Sequence, residues 1–322
     1  VVLSLPAPLV SERSLTMSLP QAELVLDARN AVGESPVWAP AEQALYWVDI
    51  PERTLNRWTL ATQTSSTWQA PEMLACVAPM AAGNWIAGAE SGIFELAPQA
   101  DGQLGFQRLV TVSHASDGMR FNDGRCDRQG RFLAGTMLMN MAASQGEGCA
   151  YSYQNSSNGA GQLVKLLDGF KTPNGLAFSP DGRTMYLSDS HPSVQLIWAF
   201  DYDLESGTPS NRRVFVDMTP LPGRPDGAAV DAEGCYWICG NDAGLVHRFT
   251  PTGKLDRSLA VPVKKPAMCA FGGPKLDTLF VTSIRPSGID LSDQPLAGGV
   301  FALRPGVCGL PEPQFSPVPV SR

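Results

Sequence analysis

The stretch PDGAAVDAEGCYW, Pro225–Trp237, joins a short apolar run to an aromatic run through a polar turn, and it carries two aspartates and two glycines. A single copy would read as a strand, an Asp/Gly turn and a second strand. The frame is not single. NDGRCDRQGRF begins at Asn122 and NGLAFSPDGRTMY at Asn174, so the three starts are 52 residues apart, and a glycine stands eight residues into each: Gly130, Gly182 and Gly234. Weaker copies begin at Glu34 (ESPVWAPAEQALYWVDI), Ala75 (ACVAPMAAGNWIAG, with Gly83) and Met268 (MCAFGGPKLDTLFVTS). An aromatic residue lies twelve positions after three of the starts, at Tyr46, Tyr186 and Phe280. Recurrence at this period is the mark of a repeat architecture.

Each of the six frames is followed by a further β-patterned run: LNRWTL, GIFELA, CAYSYQ, QLIWAFDY, LVHRFT and GVFALR. Another run often precedes the next frame, such as LVKLL from Leu163, RVFVD from Arg213 and RSLAV from Arg257. Four short strands per roughly 40–50 residues describe a propeller blade, so the expected fold is all-β, a six-bladed β-propeller. The sixth frame has no fourth strand, because the tail GVCGLPEPQFSPVPVSR is Pro-rich and is expected to be poorly ordered. ELVLDA, from Glu23 to Ala28, is a spare strand before the first frame and is expected to close the ring as the outer strand of the last blade. Residues 21–322 then form one propeller domain. Residues 1–20 are expected to lie outside it, as a disordered tail or an upstream extension of a chain that opens naturally at Met17.

Composition excludes several function classes. A net charge of −7 argues against nucleic acid, and no apolar run reaches the roughly 18 residues that a membrane helix needs. Seven cysteines without a Cys-x-x-Cys pair suggest neither a disulfide framework nor a cysteine zinc site. Cys235 and Cys239 are expected to be buried thiols in a reducing cytoplasm. His114, His191 and His247 are the three histidines, and none stands in a triad-elbow or zincin context.

In a propeller the first strand of every blade lines the central channel, so one frame position converges on the axis. That position reads Glu34, Ala75, Asn122, Asn174, Asp226 and Met268. Two carboxylates in a narrow channel repel each other unless protonated or neutralised, and a divalent cation would balance them while the amide oxygens fill part of its shell. The all-oxygen set ranks calcium, magnesium and manganese ahead of zinc and ferrous iron.

The ordered segments GESPVW, LYWVDI, RFNDGRCDRQGRFLAGTM, PNGLAFSPDGRTMYLSDS, PDGAAVDAEGCYW and CAFGGPKLDTLFVT make the chain resemble the gluconolactonase, regucalcin and senescence-marker-protein family from about Gln21 to Leu303. The resemblance implies one divalent metal, calcium first, held by Glu34, Asn174 and Asp226. It implies that Asp226 also serves as the catalytic base and that Arg120 and Asn122 hold substrate, moving Asn122 out of the ligand set. The implied activity is hydrolysis of a glucono-, galactono-, xylono- or arabinono-type lactone to the aldonic acid. Two alternatives remain: a calcium- or sugar-binding propeller without turnover, and an organophosphate or ester hydrolase using the same metal site. The expected partner is a small sugar lactone, met by a cytoplasmic monomer or weak homo-oligomer.

Selectivity is expected from the loops at the channel mouth, the longest being 136–150 and 283–299. Met137, Met139 and Met141 make the first a candidate lid, with packing against a neighbouring loop as the alternative. The substrate-binding Glu of some relatives aligns near Ser144, whereas the acid here is Glu147, so both are candidate substrate contacts. His191, in SDSHPSV, reads as a solvated loop residue near that mouth.

Overall fold

The computed structural model describes residues 21–80, 83–155 and 161–316. These form six four-stranded antiparallel sheets, whose inner strands Gly33–Ala39, Leu74–Pro79, Met119–Cys126, Pro173–Phe178, Arg224–Val230 and Pro266–Gly272 define blades 1 to 6. The inner strands neighbour one another in ring order, with blade 6 returning to blade 1. Five blades use four consecutive strands. The sixth takes Glu23–Leu26 as its outer strand, paired with Val300–Leu303, so the ring is closed by material from both ends of the chain. The protein is a six-bladed β-propeller, and residues 1–20 lie outside the description.

Burial follows the radius. Inner strands are buried on both faces because each blade packs flat against two others, whereas outer strands such as Pro209–Asp217 show charged residues to solvent. The aromatic residue twelve positions into a frame is the inter-blade contact: Tyr46 lies 4.4 Å from Trp85 of blade 2, Tyr186 5.0 Å from Tyr236 of blade 5, and Phe280 5.6 Å from Trp38 of blade 1. Such ring pairs add about 0.5–1.5 kcal/mol each beyond area burial, and their recurrence explains the period in the sequence.

The two ends of each inner strand do different work. At the far end the frame glycines Gly130, Gly182 and Gly234 take φ of 88°, 73° and 81°, as a tight turn between strands requires. Asp127 and Asp231 cap these turns, each accepting two backbone amides through Oδ1. Asp231 is thus the turn aspartate of the opening stretch. At the mouth end, all six inner strands shift register at the same place: Glu34/Val37, Leu74/Cys76, Phe121/Gly124, Asn174/Ala177, Pro225/Ala228 and Pro266/Cys269. A bulge frees a residue from the ladder and re-aims its side chain.

The tail departs from expectation as far as Ser316; residues 317–322 lie outside the described residues. GVCGLPEPQF is tied down although it forms no strand: Ala232 N donates to Cys308 O, Gly309 N to Leu276 O, Phe315 N to Pro79 O and Ser316 N to Gly130 O. Phe315 is buried against Tyr153, and Glu312 lies 3.6 Å from Arg125. Proline removes donors for a ladder but leaves carbonyls and neighbouring amides for such single contacts, so the segment runs from blades 5 and 6 across to blades 2 and 3. All seven cysteines are free, Cys235 and Cys239 buried among them. Among the described residues no helix is long and apolar enough to cross a membrane.

Candidate functional site

The bulges bring the mouth-end residues of blades 1, 4 and 5 to one place. Asp226 is buried, its Oδ1 accepting a short hydrogen bond from Asn174 Nδ2 and its Oδ2 one from Asn241 Nδ2. Gly175, beside Asn174, has φ 59°, and a Cβ there would stand 2.5 Å from the Tyr236 hydroxyl, so this turn of the chain admits only glycine. Tyr236 Oη in turn donates to Gly175 O at 2.6 Å, locking blade 5 to blade 4 directly behind the site.

Glu34 completes the cluster. Burial pushes its carboxyl well above the usual range, and the charges of Asp226 and Asp123 push it further, with Arg120 and the Ser35 amide opposing. Asp226 is raised to about 7, first by burial, with Asp123 and Asp242 adding to the rise while Asn241 and Arg224 oppose it. A third carboxylate, Asp123, is also raised by burial; its Oδ2 accepts the Leu176 amide at 2.7 Å and its Oδ1 is buried without a hydrogen-bond partner among the described residues. Three acidic groups therefore influence one another in a confined space. Such a site is disfavoured when all are ionised and is relieved by protons or by a cation.

Arg120 and Asn122 act as a unit. Arg120 Nη1 donates to Asn122 Oδ1 at 2.9 Å and to Phe121 O at 2.7 Å, while Asn122 Nδ2 donates to Pro173 O of blade 4 at 3.0 Å. Both ends of the Asn122 amide are engaged, so its effect is to aim Arg120, whose remaining guanidinium nitrogens make no hydrogen bond to the described residues.

Ser144 and Glu147 do not join this cluster by any hydrogen bond or ion pair. Ser144 Oγ donates to Glu147 at 2.9 Å and the same carboxylate accepts the Gln145 and Gly146 amides; its own backbone amide first, and then these donors, hold it below the usual carboxylate range. Their contacts close a loop on itself. That loop rests on its neighbour: His191 Nε2 donates to Met141 O at 3.2 Å. Met137 is buried and Met139 exposed, so the three methionines do not share one environment.

Sequence reasoning missed Asn241 and Asp123. Asp123 was visible only as the Asp of an Asn-Asp-Gly turn signal, and Asn241 lies on the second strand of its blade, outside the channel-lining frame. Another acidic group, Asp231, Glu233 and Cys235, sits at the far end of the propeller. Arg248 already fills it, 2.7 Å from Asp231 Oδ2 and 2.6 Å from Glu233; Trp237 Nε1 donates to the same Asp231 Oδ2, and Asp231 Oδ1 accepts the Glu233 and Cys235 amides. Both Asp231 oxygens and one of Glu233 are thus engaged and Arg248 already balances their charge, so the mouth-end cluster is the stronger candidate metal site.

Comparison with known proteins gives the chain its relatives. The family model described as SMP-30/Gluconolactonase/LRE-like region matches residues 32–285. A 6-deoxy-6-sulfogluconolactonase of Pseudomonas putida is 39% identical over 89% of this chain and 96% of its own length. A regucalcin of Danio rerio is 34% identical over 92% of this chain and 98% of its own. Among solved structures, a calcium-binding regucalcin from Agrobacterium tumefaciens superposes with a TM-score of 0.83 at 29% identity, covering 91% of this chain and 96% of that one.

Proposed function

The chain belongs to the SMP-30/gluconolactonase/LRE-like family, and we propose that it is a divalent-metal-dependent hydrolase that opens an aldonolactone to the aldonic acid. The observation that carries the reading is the pairing of Glu34 with Asp226, two carboxyls raised first by burial, with the charge of Asp226 raising Glu34 further, flanked by the amide of Asn174. These groups fit a hard cation: a half-turn of the Asn174 amide presents its oxygen in place of its nitrogen, and the mutual repulsion of the carboxylates disappears on binding. Calcium leads on ligand chemistry, with magnesium, manganese, zinc and ferrous iron as the other candidates. Bound there, the ion supplies Lewis acidity toward a lactone carbonyl and a lowered pKa for water.

The remaining steps belong to the protein. Asp226 accepts the proton of the attacking water through an oxygen not given to the metal, as the new C–O bond forms at the carbonyl carbon. The ring C–O bond then breaks and that proton returns to the departing ring oxygen, leaving a carboxylic acid and an alcohol in one open chain. Arg120, aimed by Asn122, offers a planar donor fork to the substrate's hydroxyl or carbonyl oxygens. Ser144 and Glu147 contribute by shaping the loop beside the mouth. The named relative in Pseudomonas putida supports a gluconolactone-type substrate, with galactono-, xylono- and arabinono-lactones as the wider panel. Free thiols throughout support a reducing, cytoplasmic setting.

The test is pH-stat hydrolysis of a lactone panel by chelator-stripped protein, with and without each metal. Metal-dependent acid release above the spontaneous rate is the expected outcome. Tight metal binding with no lactone turned over would replace the enzyme with a calcium-binding propeller, a reading favoured by the calcium-binding relative. Turnover restricted to organophosphates or simple esters would keep the metal site and replace the substrate.

A further inference from the structure

We infer that Asn241 is a positioning residue for Asp226, one that holds the carboxylate in a single orientation at the channel mouth. The inference rests on the metal-site reading above and goes beyond it. The second strand of each hairpin ends opposite the entry to the first, pairing Gly33 with Asp49, Pro173 with Asp189 and Pro225 with Gly240. In blades 1 and 4 this aspartate caps the incoming loop: Asp49 accepts the Ala31 and Val32 amides at 2.8 and 3.0 Å, and Asp189 accepts those of Lys171 and Thr172 at 2.7 and 3.0 Å.

Blade 5 is built differently. Gly240 has no side chain to cap with, and a Cβ there would lie 2.8 Å from His247 Nε2. His247 takes over the incoming loop, donating from Nε2 to Pro222 O at 2.9 Å. The next residue along the second strand is Ile50 in blade 1, Ser190 in blade 4 and Asn241 in blade 5. Ile50 offers Glu34 nothing polar. Ser190 Oγ stands 3.4 Å from Asn174 Nδ2, and Asn241 Nδ2 makes the short bond to Asp226 Oδ2. Only in blade 5 does this position make a close bond to its channel residue.

Two features separate this bond from ordinary core satisfaction. Asn241 is 2% exposed, yet its Oδ1 is buried with no hydrogen-bond partner among the described residues. Turning the amide over would aim that oxygen at a carboxylate, so the donor is obliged to face Asp226. Asp226 is moreover held at both oxygens, by Asn174 from blade 4 and by Asn241 from its own blade. When the Asn174 amide turns to give its oxygen to a cation, its bond to Oδ1 is given up and the Asn241 bond to Oδ2 remains to fix the carboxylate. One oxygen can thus be directed to a cation while the other keeps a fixed place for a water proton, which is how partners behind a ligand tune a metal site.

The experiment compares wild type with Asn241→Leu, similar in volume but without a donor, and Asn241→Ser, which restores a shorter one. Calcium and manganese affinities of chelator-stripped protein are measured by titration calorimetry, and kcat and KM are measured separately at saturating metal. Asn241→Leu is expected to weaken metal binding or lower kcat by about 10- to 100-fold, with KM changed less than about twofold and partial recovery in Asn241→Ser. Ser190→Ala should follow in the same direction with a smaller effect. Wild-type affinity and kcat in Asn241→Leu would overturn the inference; if that variant does not fold, Asn241→Ala is judged by the same criteria. Affinity is read without substrate, so an inactive wild type whose metal affinity depends on Asn241 would keep the positioning role and lose the lactonase. An active enzyme indifferent to Asn241 would do the reverse.

Discussion

Replacing Asp226 with Asn should stabilise the metal-free protein at alkaline pH and cost it about 1–2 kcal/mol at acid pH. In the folded chain the carboxyl titrates at about 7, against an ordinary value of 3.8. Between those values the folded form keeps a proton that the unfolded form has released, so stability falls as pH rises through the window and the full penalty is present above the folded value. Three units correspond to about 4 kcal/mol. Asparagine avoids that penalty but cannot accept from both Asn174 Nδ2 and Asn241 Nδ2, and one donor left facing an amide NH2 costs about 1–2 kcal/mol. The expected net gain near pH 8.5 is therefore about 2–3 kcal/mol. Glu34 adds to it, because the neighbouring charge that raises its carboxyl is gone. Urea denaturation in chelator from pH 4 to 9 checks this: the wild-type curve should fall with pH, the Asp226→Asn curve should be flatter, and the two should cross. Saturating metal should restore the wild type and reverse their order at high pH. Parallel pH profiles with the variant below wild type throughout would refute the crowded, uncompensated carboxylate pair.

Three further outcomes follow from the same contacts. Arg120→Gln should lower kcat/KM for the preferred lactone by about 10- to 100-fold, the worth of a charged hydrogen bond, while calorimetry finds its metal affinity within about twofold of wild type. Asp231→Asn at the far end should cost about 3 kcal/mol in urea denaturation, because Arg248 loses its most buried partner, and should leave the metal stoichiometry unchanged. Phe315→Ala, which empties the contact of the tail with Tyr153, should cost about 3–5 kcal/mol in the same assay with kcat/KM unaltered.

The fold was legible because its stabilising contacts recur at the period of the chain. The glycine turns and the inter-blade aromatics are dictated by local geometry, so several blades restate one or the other, and Tyr46, Tyr186 and Phe280 could be aligned by counting. Glu34, Asn174 and Asp226 were legible for the same reason: one frame position on inner strands meets at one axis. The tail was not. Its order comes from single hydrogen bonds to four separate blades, and composition reports proline content without reporting which amides remain free to bond. Ser144 and Glu147 show another limit, since alignment to a relative's loop predicts proximity but not that a carboxylate will cap its own amides.

Asn241 shows why a frame that locates channel residues can still misplace their partners. Ser190 follows Asn174 by 16 residues, and the same step from Asp226 lands on Asp242. Asp242 is exposed and turned away, paired with Arg224 Nε at 2.7 Å and with Lys265. The ladder resolves the difference. Phe178 pairs with Met185 in blade 4 but Val230 with Tyr236 in blade 5, so the blade 5 turn is one residue shorter and every position after it arrives one step early. WVDI, LSDS and ICGN are then equivalent, and Asn241 stands where Ser190 does. A one-residue change in a turn at the far end of the blade thus decides which side chain meets Asp226 at the mouth. Period alone cannot reveal that, because the period counts residues whereas the site is built by register.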